Sequence, residues 1–549
     1  MRSFGPGSRL AFAGAVAIGA ALATGELLAG LLPDVPSPLI AVAQFIVDIQ
    51  PAGAKEIVVG LFGTADKLAF QVFIILVALI IGAVLGRVAA KRPDVASAIV
   101  VAFTAAGFAA SLREPAASAV LAVFAAAAEA LVGIFVLRRL VVLAIEPVTP
   151  GRVVRDAQRP AERPPQRGEG RPRVKGQQRG NGAAKRGSMP DWSRRALLQA
   201  GGAIAIGSVF AGAIGRMLLE QTRAPAPVAG DIPTAPLPVA LPPGADIATA
   251  DLTAEGLTPI VVPNTDFYRI DTALIVPTVD RATWSLRVFG LVDREITLTY
   301  DELVALPIVD QYVTIACVSN EVGGNLVGNA KWTGVPLRTV LDMAGVQSTA
   351  DQLVGRSVDG FTVGMPVEWV MDTSRVPMIA VGMNGDPLPP VHGYPARLIV
   401  PGLYGYVSAT KWVTELELTT FAQYEAFWVP RGWAQKAPIL TQSRIDVPQS
   451  GATVQAGHVA VAGVAWAPDR GITKVEVRID GGDWAATKLS TPISKATWVQ
   501  WLYDWTATSG QHLIEVRATD GAGDVQTDQQ TDPAPDGARG HHQIQVSVA

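Results

Sequence analysis

Four apolar runs crowd the first 145 residues, at 10–32, 68–85, 95–112 and 116–136. As helices, at about 1.5 Å per residue, these runs have the length to cross a bilayer's roughly 30 Å hydrocarbon core. Lipid offers no partner to a bare peptide group, so an isolated span has to be helical. Residues 1–147 are therefore expected to form an all-α, four-helix transmembrane anchor. The stretch 38–63 is interrupted by Asp48, Pro51, Lys55 and Glu56, and reads as a pair of short interfacial or re-entrant helices. Arg2, Arg9, Arg87, Lys91, Arg92, Arg138 and Arg139 all fall at span ends that alternate to one side, which makes that side cytoplasmic. The region has no histidine and so no bis-histidine haem. Its spans read as lacking intramembrane charge pairs, which argues against a transporter.

Residues 148–190 are rich in Pro, Gly and Arg and poor in large apolar residues, the composition of a disordered basic cytoplasmic linker. Asp191-Trp192-Ser193-Arg194-Arg195-Ala196-Leu197-Leu198 then precedes a mildly apolar run to residue 219. Ser-Arg-Arg-x-Leu-Leu before such a run resembles a twin-arginine export signal; the plainer reading is a fifth ordinary span. No small-residue cleavage box follows, so the helix is expected to stay as a signal anchor. The resemblance implies a multi-pass protein of a bacterial cytoplasmic membrane, with everything after residue 219 outside the cytoplasm. Residues 220–260, rich in Pro and Ala, read as a tether.

All 12 Trp and all 8 Tyr lie after residue 190, where a water-soluble core would need them. Strand-like alternation at 284–290, 296–300 and 311–315 is mixed with short helices, one opening at Asp301 and one at 336–344 before Gly345. This makes 261–429 an α+β domain. From 430 to 549 the pattern turns all-β, with period-two runs at 459–466, 474–480, 498–505, 512–518 and 542–548, as in an immunoglobulin-like β-sandwich. Its expected role is structural or dimer-forming, with a second copy of the chain as partner. A formal charge of −3 gives no general attraction to nucleic acid.

The chemistry centres on the single cysteine, Cys317, in Thr314-Ile315-Ala316-Cys317-Val318-Ser319-Asn320-Glu321-Val322-Gly323-Gly324. A β-branched strand ends on a thiol that opens into a Gly-rich loop. A lone cysteine is commonly a small buried hydrophobe, and only its surroundings make it a ligand. Those surroundings include Lys331-Trp332-Thr333-Gly334-Val335-Pro336-Leu337, and further on Asp386-Pro387-Leu388-Pro389-Pro390-Val391-His392-Gly393-Tyr394-Pro395-Ala396-Arg397. Together these runs resemble the sulfite oxidase family of molybdopterin enzymes, over residues 261 to 549. The resemblance implies a molybdenum–molybdopterin cofactor with Cys317 as catalytic metal ligand, a soft sulfur for the metal. It places Asn264, Phe267, Tyr268, Ser357, His392, Arg397, Ala409, Thr410 and Lys411 against the pterin and its phosphate. It also implies two-electron oxygen-atom transfer on a small substrate.

The substrate side departs from the family. Where sulfite oxidases have arginine soon after the cysteine, Asn320 is followed by Glu321, and the later family arginine is Lys331. These three residues are expected at the substrate entrance, where a carboxylate would repel sulfite and favour a neutral or zwitterionic S-oxide. No Cys-x-x-Cys-His and no second cysteine are present, so neither haem nor an iron–sulfur cluster is expected in the chain. Electrons would then pass to a separate protein partner or a quinone. The rival reading is a non-enzymatic, membrane-anchored scaffold on the same fold, against which the intact Cys317, His392 and Arg397 count.

Overall fold

Residues 5–32, 35–49, 66–113, 118–145, 191–222, 237–238 and 251–549 are described by the computed structural model. The basic linker at 148–190, much of the tether and the second half of the interrupted stretch lie outside them. The chain divides into two units, residues 1–45 with 68–222 and residues 46–67 with 223–549.

The apolar runs of the first unit form helices α1 (Pro6–Leu31), α3 (Asp66–Ala89), α4 (Pro93–Ser111) and α5 (Ala119–Ile145), with the shorter α2 (Pro38–Ile49) after α1 and α6 (Asp191–Thr222) at the end. Among the described residues five helices, all but α2, are long and apolar enough to cross a membrane. Proline in the first turn starts α1 and α4, where its missing N–H has no helical acceptor to lose. The helices meet through glycine. A Cβ on Gly14 of α1 would stand 1.9 Å from the Gly82 carbonyl of α3, and one on Gly30 would stand 2.2 Å from Gly215 of α6. Backbones can approach this closely only where side chains are absent, as is common between helices in lipid. Large apolar residues point outward, with Val120 79% and Phe135 71% exposed.

The spans carry two buried carboxyl groups, which the sequence reading, concerned with charge pairs, did not single out. Glu26 and Glu129 are both buried in the bundle. Glu26 Oε1 accepts from Ser37 Oγ at 2.6 Å and from the Leu39 amide at 3.2 Å, so this carboxyl satisfies the start of α2.

In the second unit the α+β region runs β1 (Ser285–Gly290), β2 (Ile296–Thr299), α7 (Tyr300–Val304), β3 (Val309–Ala316), β4 (Val327–Pro336), α8 (Leu337–Ala344), β5 (Gln352–Ser357), β6 (Thr362–Pro366), α9 (Val367–Val370), β7 (Met378–Met383), β8 (Arg397–Ile399), α10 (Gly405–Ser408) and β9 (Val413–Thr419). One sheet has the order β3-β4-β7-β8, with the two-residue strands Leu237–Pro238 on β3 and Asp386–Pro387 on β7. The other has the order β2-β1-β9-β5-β6. Thr299 and Glu302 close a capping box that starts α7. Gly345, at φ 74°, ends α8 in the left-handed conformation that glycine adopts most readily.

The remaining strands are β10 (Gln442–Val447), β11 (Gly457–Trp466), β12 (Ile472–Ile479), β13 (Val499–Ala507), β14 (Gly510–Asp520) and β15 (His542–Val548). Two facing sheets, β10-β11-β13 and β15-β14-β12, each extended by two-residue strands, enclose Val461, Val475, Val477, Trp501, Ile514, Val516 and Val546. The sandwich is fastened to the α+β region. Trp498 donates its amide to Thr314 Oγ1 at 2.8 Å and its Nε1 to the Ile260 carbonyl at 2.8 Å. Arg444 Nη1 donates to the Gly324 carbonyl at 2.9 Å.

Candidate active site around Cys317

β3 delivers Cys317 to the end of its sheet. Pairing with β4 closes at Ala316 opposite Val327, and the Cys317 amide then donates to the Leu326 carbonyl at 2.9 Å. The following loop is held from within. Asn320 Oδ1 accepts the Leu326 amide at 2.7 Å, and the Asn320 amide donates to the Cys317 carbonyl at 3.1 Å. The sandwich backs the loop: a Cβ on Gly323, at φ 78°, would stand 2.2 Å from the ring of His542. The thiol is free, buried, and lines a cavity of about 860 Å³, counting the part open to solvent.

The same cavity is lined by Phe267, Tyr268, Ser357, Arg397, Ala409 and Lys411. These expected cofactor residues come from four separate segments. Asn264, His392 and Thr410 stand behind it. Asn264 accepts from Asn384 Nδ2 at 2.9 Å and donates to the Met383 carbonyl at 3.2 Å, so its side chain ties its loop to the end of β7. His392 Nε2 is 3.0 Å from the Asn264 carbonyl oxygen, and its ring meets Phe267 edge-on at 5.6 Å. Phe267 stacks on Tyr268 at 5.3 Å and occupies the space that Gly328 leaves free of a side chain.

Arg397 is 3% exposed, lies 5.0 Å from the Trp332 ring centre and donates Nη1 to the His392 carbonyl at 3.0 Å. Its Nε is buried without a hydrogen-bond partner among the described residues, and so is Thr410 Oγ1. Burial holds the Arg397 guanidinium down, to about 10. Lys411 donates to Asp271 Oδ2 at 3.0 Å and to the Val391 carbonyl at 3.1 Å, yet burial still lowers it to about 8. Burial alone would raise the Asp271 carboxyl; Lys411, Lys67 and Arg269 reverse this and hold it far below the usual carboxylate range. His392 is pushed down to about 4 by burial, with Arg397 and Lys411 adding to the effect, so it is neutral at pH 7.

Such a donor set fits a group with a soft metal at one end and an anion at the other. The thiol is the soft ligand. The orphaned Arg397 Nε and the Lys411 ammonium are donors for phosphate-type oxygens.

The three residues expected at the entrance do not line the cavity. Asn320 braces its own loop, and Glu321 is solvent-exposed. Lys331 reaches back along β3 to Asp310 at 3.3 Å, because it pairs across the strands with Tyr312 at the end of the sheet away from the thiol. The cavity instead presents Phe361, Tyr406, Trp428 and Trp433, together with the acids Asp271 and Asp359. Tyr406 packs on Trp433 at 5.8 Å and donates its hydroxyl to the Ala434 carbonyl at 2.6 Å. Sequence reasoning missed these residues. The available signal was the aromatic cluster Phe427-Trp428-Val429-Pro430-Arg431-Gly432-Trp433, which the expected boundary at 429 cut in two.

Comparison with known proteins adds the family. The profile of the oxidoreductase molybdopterin binding domain matches residues 273–428, and that of a bacterial Ig domain matches residues 442–516. Human mitochondrial sulfite oxidase is 28% identical over 316 residues, covering 49% of this chain and 57% of that protein. Rice NADH nitrate reductase 1 is 30% identical over 272 residues, covering 40% of this chain and 30% of the reductase. An uncharacterised oxidoreductase of Bacillus subtilis, YuiH, is 32% identical over 155 residues, covering 28% of this chain and 74% of the bacterial protein. The chain thus spans little more than half of the human relative and under a third of the plant one.

Proposed function

Since this chain belongs to the sulfite oxidase family of molybdopterin-dependent oxidoreductases, we propose that the Cys317 cavity holds a molybdenum–molybdopterin group and transfers an oxygen atom to or from a small neutral sulfur compound, an S-oxide and its thioether. The group, when bound, supplies the two-electron oxygen-atom chemistry. The chain's part is to hold and orient. Cys317 would ligate the metal, Arg397 and Lys411 would meet the anionic end with Thr410 behind them, and Phe267 with Tyr268 would pack against the pterin. Neutral His392 fixes the Arg397 side chain through its carbonyl.

The observation that carries this reading is the meeting of the only thiol with a buried, under-satisfied arginine in one cavity. The substrate class follows from the lining. Two cations line the cavity, Arg397 and Lys411, against two carboxyls, Asp271 and Asp359, the first of them also paired with Lys67 and Arg269. A dianion such as sulfite needs more fixed positive charge than that leaves. Phe361, Tyr406, Trp428 and Trp433 offer apolar area and a polarisable contact for sulfur. Metal analysis of the purified full chain, with steady-state kinetics on methionine sulfoxide and sulfite, tests it. Stoichiometric molybdenum and a preference for the sulfoxide are expected; efficient sulfite oxidation would reverse the substrate assignment.

The positive-inside pattern and the arginine pair at the start of α6 support a catalytic unit exported across a bacterial cytoplasmic membrane. Changing Arg194 and Arg195 together to Lys should leave residues 261–549 protected from external protease in spheroplasts. Unchanged cleavage would make α6 an ordinary fifth span.

A further inference from the structure

The first unit contains a cavity of its own. It has a volume of about 1490 Å³, counting the part open to solvent, and is walled by α1, α3 and α6, with Leu39 of α2. Val16, Leu22, Val72, Leu79 and Val209 are among its apolar residues, and Glu26, Gln71 and Arg216 are its charged and amide groups. The polar groups share one level. Glu26 lies five residues before the end of α1, Gln71 five residues after the start of α3, and Arg216 six residues before the end of α6. That end is opposite the arginine-rich one. From Phe12 to Glu26, both on its wall, α1 rises roughly 21 Å at about 1.5 Å per residue. Glu129 of α5 stands behind the polar end, where a Cβ on Gly25 would be 2.3 Å from its carboxyl oxygen. The site is therefore long, apolar and narrow, with an acid, an amide and a guanidinium together at one end. Ionisable groups in a membrane span are costly and mark function.

We propose that this cavity binds a lipophilic quinone, its ring among Glu26, Gln71 and Arg216 and its isoprenoid tail along the apolar walls toward Phe12. A quinone carbonyl is a neutral acceptor for Arg216 and Gln71. The hydroxyl of the reduced form is a donor for Glu26. A phospholipid headgroup fits less well, because its phosphate would sit against Glu26 with Glu129 close behind. The chemistry of the second unit also calls for a two-electron carrier, and to this extent the inference rests on the oxygen-transfer reading. The balance closes as sulfoxide plus hydroquinone giving thioether, quinone and water: the hydroquinone loses two electrons and two protons, and the sulfoxide oxygen leaves as water.

Binding is measured first, with the full chain in nanodiscs of phosphatidylethanolamine and phosphatidylglycerol and a tritiated decyl-tailed benzoquinone as probe. The wild type should bind one probe per chain saturably. Gln71→Leu and Arg216→Gln should each weaken binding at least tenfold. Val209→Trp, at a wall position 72% exposed and so able to accept a larger side chain, should abolish it. No saturable binding in the wild type, unchanged binding in all three variants, or phospholipid that the probe fails to displace would overturn the proposal. A second arm compares electron donors for methionine sulfoxide reduction. Val209→Trp should keep its rate with a reduced viologen dye and lose at least tenfold with the hydroquinone; equal rates with both donors count against the site. If the wild type shows no viologen-driven turnover, the oxygen-transfer reading fails by itself, and the binding arm still decides this one.

Discussion

Two sets of residues share the Cys317 cavity and use opposite physics. One is the thiol with its polar neighbours: Cys317, Arg397, Lys411 and Asp271. The other is aromatic: Phe361, Tyr406, Trp428 and Trp433. The charged set is held by specific partners, as in the 3.0 Å contacts of Lys411 with Asp271 and of Arg397 with the His392 carbonyl. The aromatic set is held by ring packing, such as Phe361 on Phe427 at 5.5 Å and Phe427 on Trp428 at 5.1 Å. A face built on directed bonds suits a group that must sit in one pose. A face built on area suits a substrate that enters and leaves. Damage to the first should therefore abolish function, and damage to the second should grade it.

The sharpest test is Cys317→Ser. A hydroxyl is a poor ligand for a soft site, so turnover should fall at least a thousandfold while circular dichroism stays that of the wild type. Arg397→Met comes next. Losing a charge-assisted hydrogen bond costs about 1.5–3 kcal/mol, so cofactor retention should weaken roughly ten- to a hundredfold. The cofactor-free protein should melt at a higher temperature than the wild type, because a poorly satisfied buried cation is gone. A lower melting point in the cofactor-free variant would show that Arg397 serves the fold rather than the ligand.

Acid should act on the charged face through histidine. His392, and His542 behind the Cys317 loop, are both lowered by burial to about 4, from an ordinary value near 6.5. Between these values the unfolded chain binds a proton that the native chain does not, so stability rises with pH. It is fully present above about 6.5 and is lost as pH falls through 4, at up to about 1.4 kcal/mol per pH unit for each histidine. Urea midpoints measured from pH 7 to pH 4 should fall steadily, and His542→Gln should flatten the slope. On the aromatic face, Trp433→Ala should raise KM for an aryl methyl sulfoxide about tenfold, equivalent to ~1.4 kcal/mol of lost aromatic contact. The kcat should change far less. The smallest effect is expected for Glu321→Arg: its exposed position outside the cavity should leave KM for both sulfoxide and sulfite within about twofold of wild type. A large gain in sulfite affinity would return Glu321 to the entrance.

The charged face was largely legible in the sequence because its residues lie in compact runs around Cys317 and from His392 to Lys411. Its counter-ion was not. Asp271 is 140 residues from Lys411, and nothing local marks it. The aromatic face was hidden by the domain boundary drawn through it. Glu321 and Lys331 misled for the opposite reason. They are close to the thiol in sequence, but the loop turns one outward and the β3–β4 register carries the other to Asp310. In the bundle the spans were legible from hydropathy, whereas Glu26 and Glu129 were lost in the average of their apolar runs. Burial, not composition, makes them conspicuous.

The grip of Arg444 on the Gly324 carbonyl and of His542 on Gly323 has a consequence for descent. Gene shuffling trades domains freely when the joint between them carries nothing that the chemistry needs. Here the joint supports the loop that presents the thiol. A foreign sandwich without an arginine and a ring at these two places would arrive with its own fold intact and leave its host's sulfur unsupported. A crossover near residue 430 of this chain would therefore part the thiol loop from its support.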